Sequence, residues 1–291
     1  MRTALPIALL LLASVAGAGE RSLEARVNEA IDRGAANLLS HQAVDGSWDS
    51  NDKVHPFGRT ALCAFALLHA GYGRDHHSIE RALAFLDLKP GFKPHSTYEA
   101  GVILLLLNAL GNEYRGRIHD LCDWLLAHYD EGQRLWGYPD GVHDLSNTQY
   151  AVFGLKVGAL HGYKVPRDFW RSVTEGVLRM QARDGGFRYR PGTVASGSMT
   201  HAGLLVLLFA NQELGSKRPP REVKLAMDRA HKWYEEHYRV DHLPLGRGWS
   251  KSHYFYYMYG LERYGQFFKR KTIVGHDWYR EGAEELLRLQ K

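Results

Sequence analysis

Cysteine is scarce in this sequence. Cys63 and Cys122 are the two thiols in 291 residues. Both sit among apolar neighbours in stretches with helical spacing, in different repeats and at different helix levels. An exported protein is free to form a disulfide, but that separation favours two buried free thiols. No C-x-x-C or similar ligand spacing occurs, so no metal and no other cofactor is expected. No Pro- or Ser-rich linker divides the chain, which argues for a single domain over residues 19–291. Long apolar runs are missing after the N-terminus. Residues 102–107 are very apolar, but Glu99 and Asn108 flank them, and a membrane span needs roughly 20 such residues. Charge of one sign is not concentrated either. The net charge of +5 is scattered, with Phe268-Lys269-Arg270-Lys271 as the densest cluster. A nucleic-acid-binding stripe would be longer and confined to one face, so nucleic acid is not expected as a partner.

The first eighteen residues stand apart. Arg2 supplies a positive charge, residues 4–15 are apolar, and Ala16-Gly17-Ala18 places small side chains where a signal peptidase cuts. The expectation is a secretory signal peptide over residues 1–18 and an exported chain, periplasmic or extracellular.

What the sequence has in abundance is repetition. Gly34-Ala35-x-x-Leu38-Leu39-x-x-Gln42 returns as Gly282-Ala283-x-x-Leu286-Leu287-x-x-Gln290, with a looser copy at Val177, Leu178 and Gln181. Two copies run into a turn: Asp45-Gly46-Ser47-Trp48 after Gln42, and Asp184-Gly185-Gly186-Phe187 after Gln181. A fixed unit repeated along a chain signals a repeat architecture. Two kinds of helix alternate around it. Residues 23–42, 77–88, 115–129, 167–181, 221–238 and 278–290 have amphipathic helical spacing. Residues 61–68, 100–107, 151–160, 202–209 and 254–261 are apolar nearly all round. Gly71, Gly111, Gly162, Gly215 and Gly265 follow these segments as expected left-handed caps, stepping by 40, 51, 53 and 50 residues.

Stacking such pairs in a line gives an open solenoid. Its inner helices would be polar on the concave side, and these are not. A helix apolar on every side must be buried on every side, so the row has to curl into a ring. The expected fold is all-α, an α/α toroid of the (α/α)6 kind, with six outer and five inner helices and the last inner helix missing. A twelfth helix would follow Gln290-Lys291. Three alternatives stand: an open ring, a gap filled by loop residues, or a truncated version of a longer chain. An open wall would leave apolar helices facing water, the mark of a partner site or of instability.

The spacings Gln42-x-x-x-Gly46-x-Trp48 and Gln181-x-x-x-Gly185-x-Phe187 resemble the QW motif of squalene and hopene cyclases, the second with Phe for Trp. Over about residues 23–291 the chain is similar to prenyltransferase/squalene oxidase repeat proteins on the terpenoid cyclase/protein prenyltransferase toroid. The motif itself reads as a fastener. A Gln amide bridges a helix end to the next turn, Asp-Gly makes the turn, and Trp offers a large apolar face. The chemistry of the resembling families is not carried over. The DxDD acid of the class II cyclases is absent, and the nearest carboxylates, in Asp140-Gly141-Val142-His143-Asp144, lack its adjacent pair. Of the prenyltransferase zinc ligands, His253 occupies the histidine position while the Asp-x-Cys is missing, short of a zinc site. The Cys-Gly-Glu-Gln of thioester domains is absent too.

Polar residues crowd the starts of the inner helices, which a toroid gathers at one mouth of its central funnel. They include His55, Arg59 and Thr60; His95 to Glu99; Asp144 to Tyr150; Ser196, Ser198, Thr200 and His201; and Trp249 to Tyr254. Capping explains Asp144, Ser146, Ser196, Ser198 and Ser250. Glu99, Gln149, His201 and His253 read as lying inside the helices, and Glu99, Tyr150, His201 and Tyr254 as one column. The catalytic candidates are thus Glu99, Asp144, His201 and His253. The ligand-binding candidates are Arg59, Gln149, Tyr150, Thr200, Trp249, Tyr254 and Tyr257, with the run from Tyr254 to Tyr259 expected to line the barrel. Core packing is the commoner role for such residues.

The functional expectation is an exported, non-catalytic toroid that holds an unknown small molecule, lipid or protein at its funnel. The alternative is a funnel enzyme, either an isoprenoid cyclase or a polysaccharide hydrolase or lyase using Glu99 and Asp144. If export holds, the mature chain begins at Gly19. Intact mass of the secreted protein checks this, and a secreted chain retaining Met1 would contradict it.

Overall fold

The computed structural model describes residues 21–48, 55–88, 91–215 and 217–290; the expected signal segment lies outside them. The two kinds of helix form two concentric layers. The outer layer is α1 (Leu23–Ser40), α3 (His77–Leu86), α5 (Arg115–Ala127), α7 (Arg167–Leu178), α9 (Arg221–His237) and α11 (Trp278–Leu289). The inner layer is α2 (Gly58–His69), α4 (Thr97–Leu110), α6 (Leu145–Leu160), α8 (Gly197–Glu213) and α10 (Tyr254–Phe267). A small antiparallel hairpin, β1 (Leu243–Pro244) with β2 (Trp249–Ser250), links α9 to α10. Each inner helix packs on the next, from α2 through α4, α6 and α8 to α10, and α1 lies against α11. The expected α/α toroid, with six outer and five inner helices among the described residues, is what forms. No helix among the described residues is long and apolar enough to cross a membrane.

The apolar surface of α4, α6 and α8 dictates this arrangement. Ile103, Leu104, Leu106, Leu107, Val152, Leu155, Leu204, Leu205 and Val206 are all fully enclosed or nearly so. Fully burying a side chain of this kind stabilises the fold by about 1.5–3 kcal/mol, so the layer as a whole is the main driving force.

The repeated phrase supplies the joints. Gln42 Nε2 donates to Gly46 O (2.9 Å), within its own turn, and to Ser78 O (2.8 Å), on the next outer helix. Gln181 Nε2 repeats both bonds, to Gly185 O (2.8 Å) and Ala226 O (2.7 Å). Gly46 has φ +91°, and a Cβ there would lie 2.3 Å from Arg81 O, so the turn needs glycine twice over. The Trp48 indole Nε1 donates to Leu38 O (2.8 Å), fixing the ring under the end of α1. Its backbone N–H donates to Thr60 Oγ1 on α2 (3.1 Å), and Phe187 N does the same to Thr200 Oγ1 on α8 (3.0 Å).

A third joint of this type was not apparent in the sequence. Trp136 Nε1 donates to Leu125 O (2.8 Å) and Trp136 N to Thr148 Oγ1 (3.1 Å), with the indole fully buried. Tyr129 stands in the glutamine's place, its hydroxyl 2.7 Å from Ser172 Oγ on the next outer helix. The last copy of the phrase closes the ring. Gln290 Nε2 donates to Ala30 O (2.8 Å), and Gln290 Oε1 accepts from Arg33 (2.7 Å). Arg26 and Glu284 add an ion pair across the same seam.

Two expectations need correcting. Gly71, Gly111, Gly162 and Gly215 have positive φ, but Gly265 lies inside α10. A Cβ there would sit 2.3 Å from the Trp278 ring, so close packing, not capping, calls for glycine. Both cysteines are free thiols, but Cys63 is only half-buried. Burial raises their pKa values to about 11 and about 12, keeping both protonated.

The three threonine joints share one accepted bond, and Thr148 Oγ1 also donates to Asp144 O (2.8 Å). Thr60→Val, Thr148→Val and Thr200→Val each leave one buried N–H unpaired with little change of shape. Each is expected to destabilise by about 1–3 kcal/mol in urea unfolding, and a variant with no loss would show that its joint carries no weight.

Candidate functional site

The starts of the inner helices do converge, but most of their polar groups are turned onto backbone. Ser96, Asp144 and Ser196 are the N-caps of α4, α6 and α8. Asp144 Oδ1 accepts from Ser146 N (2.8 Å), Ser146 Oγ (2.6 Å) and Asn147 N (2.9 Å), and Oδ2 accepts from Asn147 Nδ2 (2.8 Å). Glu99 is as fully buried as Asp144. Its Oε1 accepts from Phe57 N and its Oε2 from His95 N, both at 2.7 Å, so the carboxylate ties the start of α2 to the start of α4. Every carboxylate oxygen of this pair is occupied and enclosed. Both carboxylates thus serve to hold the helix starts. Thr200 is likewise committed to the Phe187 joint.

The expected column is not one level. Glu99, Tyr150, His201 and Tyr254 lie three, six, five and one residues beyond their N-caps. His253 is itself the N-cap of α10, exposed, with φ +56° and Nδ1 2.8 Å from Ser252 Oγ, so it does not lie inside the helix as expected. Nor does the whole aromatic run face the centre. Tyr254 OH and Tyr257 OH both donate to the loop before the hairpin, at Val240 O and Arg239 O (2.5 Å each). Trp249 is 53% exposed on the hairpin, its ring 4.0 Å from that of His242 and beneath the Arg239 guanidinium. Arg59 is exposed on α2.

What the ring does gather at its centre is a group of half-buried tyrosines on different inner helices. The Tyr98 and Tyr150 rings are 4.8 Å apart, and Tyr150 stacks on Tyr256 at 6.4 Å. Tyr98 OH donates to Ser146 Oγ (2.5 Å). Tyr256 OH donates across the ring to Gln149 Oε1 (2.5 Å), linking α10 to α6. His55 and Tyr138 extend the group, their rings 5.6 and 5.9 Å from Tyr98. Burial pushes the Tyr98, Tyr150 and Tyr256 hydroxyls well above the ordinary phenol range. They are neutral donors and weaker acids than free tyrosine. They can orient a ligand and present aromatic faces to it, but protonating an alkene demands the opposite shift. Tyr256 also lines a cleft of about 470 Å³ between α10 and α11, whose walls include Asp241, Lys251, His253 and Glu285. Among the described residues no cluster of three or more His, Cys, Asp or Glu side chains is placed to hold a metal ion.

His201 faces the other way, into the wall between α8, α9 and α10. Its ring lies near-parallel to Tyr257 (5.5 Å) and Tyr264 (5.1 Å) and edge-on to Tyr234 (4.3 Å). It is fully buried, and neither ring nitrogen has a hydrogen-bond partner. Burial first, then the nearby His231, lowers its pKa from 6.5 to about 3; burial also lowers His231 to about 4. The folded state thus keeps both imidazoles neutral while the unfolded chain protonates them below pH 6.5. Their contribution is intact above that pH and lost as the pH falls toward the folded values. For His201 the expected loss is about 2 kcal/mol between pH 7 and about pH 5. Urea unfolding at the two pH values checks it: His201→Leu should flatten the dependence by that share, and an unchanged slope would contradict the assignment.

No protein-family model matches the sequence, and no curated protein matches it. Solved structures do match. A substituted form of the type II terpene cyclase MstE from Scytonema, in complex with its product merosterolic acid A, superposes with a TM-score of 0.62 at 14% identity, over 92% of this chain and 81% of that one. Another MstE structure, in complex with its substrate geranylgeranyl dihydroxybenzoate, gives 0.59 at 14% identity over 92% and 80%. The ent-copalyl diphosphate synthase from Streptomyces platensis gives 0.56 at 16% identity, over 84% of this chain and 49% of that chain. At such identities the likeness establishes the fold: an all-α toroid shared with type II terpene cyclases.

Proposed function

We propose that this chain is an exported, non-catalytic binding protein on a terpene cyclase-like toroid, taking an apolar ligand of isoprenoid type at the tyrosine-lined centre. The carrying observation is the fate of the mouth carboxylates. Glu99 and Asp144 are both enclosed and wholly engaged in holding backbone amides and side chains of the helix starts. The adjacent-acid motif of the resembling cyclases is absent from the sequence as well. Tyr98, Tyr150 and Tyr256 supply aromatic faces with little acidity. The ligand class is suggested by MstE, whose structure holds geranylgeranyl dihydroxybenzoate. On this reading the Gln42, Gln181 and Gln290 phrases are QW-type fasteners that build the container and take no part in binding. Export rests on Arg2, the apolar residues 4–15 and the small residues up to Ala18.

One observation favours an isoprenoid cyclase as the second reading: aromatic faces of this kind also stabilise carbocations. A single experiment separates the two. The mature protein is incubated with squalene, geranylgeraniol and geranylgeranyl diphosphate, with binding followed by tyrosine and tryptophan fluorescence and products by mass spectrometry. Binding of at least one, weakened tenfold or more by Tyr150→Ala, with no cyclised product, is the expected outcome. A cyclised product would overturn the non-catalytic reading, and no binding of any would overturn the ligand class.

A further inference from the structure

The seam between the two ends of the ring holds a second feature, which meets the tyrosine cluster at Tyr256. An open groove of about 490 Å³ runs between α1, α10 and α11. Val27, Ile31, Phe255, Met258, Leu286 and Leu287 are among its walls, and Glu262 is the one carboxylate lining it among the described residues. Several of these side chains face water: Phe255 is 68% exposed, Ile31 45% and Leu286 39%. A sixth inner helix, the twelfth helix overall, would lie along this slot in a complete six-pair ring. Small-molecule clefts of about 300–1,000 Å³ are the matching class.

One end of the groove is polar. It shares Phe255 and Leu289 with the cleft lined by Asp241, His242, Lys251, His253, Glu285 and Arg288. The acids of that cleft are already neutralised. Asp241 is held by Arg239 (2.7 Å) and His242 (2.9 Å), and Glu285 by Arg288 (2.5 Å). Lys251 and His253 have no acidic partner among the described ion pairs, and both are exposed beside the apolar floor. The apolar trough thus adjoins a cleft that carries Lys251 and His253. We propose that this groove binds one long-chain fatty acid, its hydrocarbon tail along α1, α10 and α11 and its carboxylate at Lys251 and His253. The tail covers apolar surface that the ring cannot enclose by itself, and the head supplies the missing negative charge.

The test is calorimetric titration of the delipidated mature protein with palmitate and with hexadecanol. One palmitate per chain is expected. Leu286→Asp and Phe255→Glu, both at exposed positions, should each weaken it at least tenfold with unchanged circular dichroism. Lys251→Glu should weaken palmitate tenfold and leave hexadecanol unchanged. Absence of palmitate binding, or binding indifferent to Leu286→Asp and Phe255→Glu, overturns the proposal. So does a concentration-dependent dimer in sedimentation that excludes palmitate, which would assign the groove to a second copy. Tyr150→Ala keeps the two sites apart: it should leave palmitate binding intact, so failure of isoprenoid binding at the centre does not touch the groove.

Discussion

A helix with apolar side chains on every side has no stable place except inside something. Five such helices in one chain cannot all be covered by pairing with their own amphipathic partners, because each pair still shows an apolar edge to the next. Lateral packing of α2 through α10 removes those edges one after another, and the outward curvature places the amphipathic helices where their polar faces meet water. The glutamine, tryptophan and threonine joints then hold each pair at one angle to its neighbour. They are individually small, but they are repeated, and each satisfies backbone groups that the tight turns would otherwise strand in a dry layer.

The same demand explains why a mouth rich in polar residues contains little free chemistry. The enclosed inner helices α4, α6 and α8 bring their unpaired N–H groups into the protein. Ser96, Asp144 and Ser196 answer that need as caps, and Glu99 spans two helix starts at once. What is left over is phenolic and amide functionality, suited to recognition.

Much of the fold could be read from the sequence, because apolar periodicity and a recurring phrase are direct records of burial. The Trp136 joint escaped because Tyr replaces Gln and the loop is one residue longer: Tyr129 precedes Trp136 by seven positions, whereas Gln42 precedes Trp48 by six. The steadier signal was the threonine twelve or thirteen residues after each ring, at Thr60, Thr148 and Thr200. The site was less legible. A polar residue near a helix start can point to backbone or to the lumen, and sequence does not distinguish them. Asp144 fitted capping, while Glu99 and Thr200 gave no such sign. The rotation of α10 was also hidden. It depends on Tyr254 and Tyr257 anchoring the loop before a two-residue hairpin, which turns only Tyr256 of those neighbours toward Gln149.

The closure by Gln290 has a kinetic side. Its bond to Ala30 and the neighbouring Arg26–Glu284 and Arg33–Gln290 contacts join residues 257–260 positions apart. The next widest side-chain hydrogen bond among the described residues, Tyr256 to Gln149, spans 107. Successive helix pairs can assemble by short-range steps, whereas the seam must gather nearly the whole chain into one loop before it gains anything. It is then the last joint to form and, held by surface-exposed groups, the first to open.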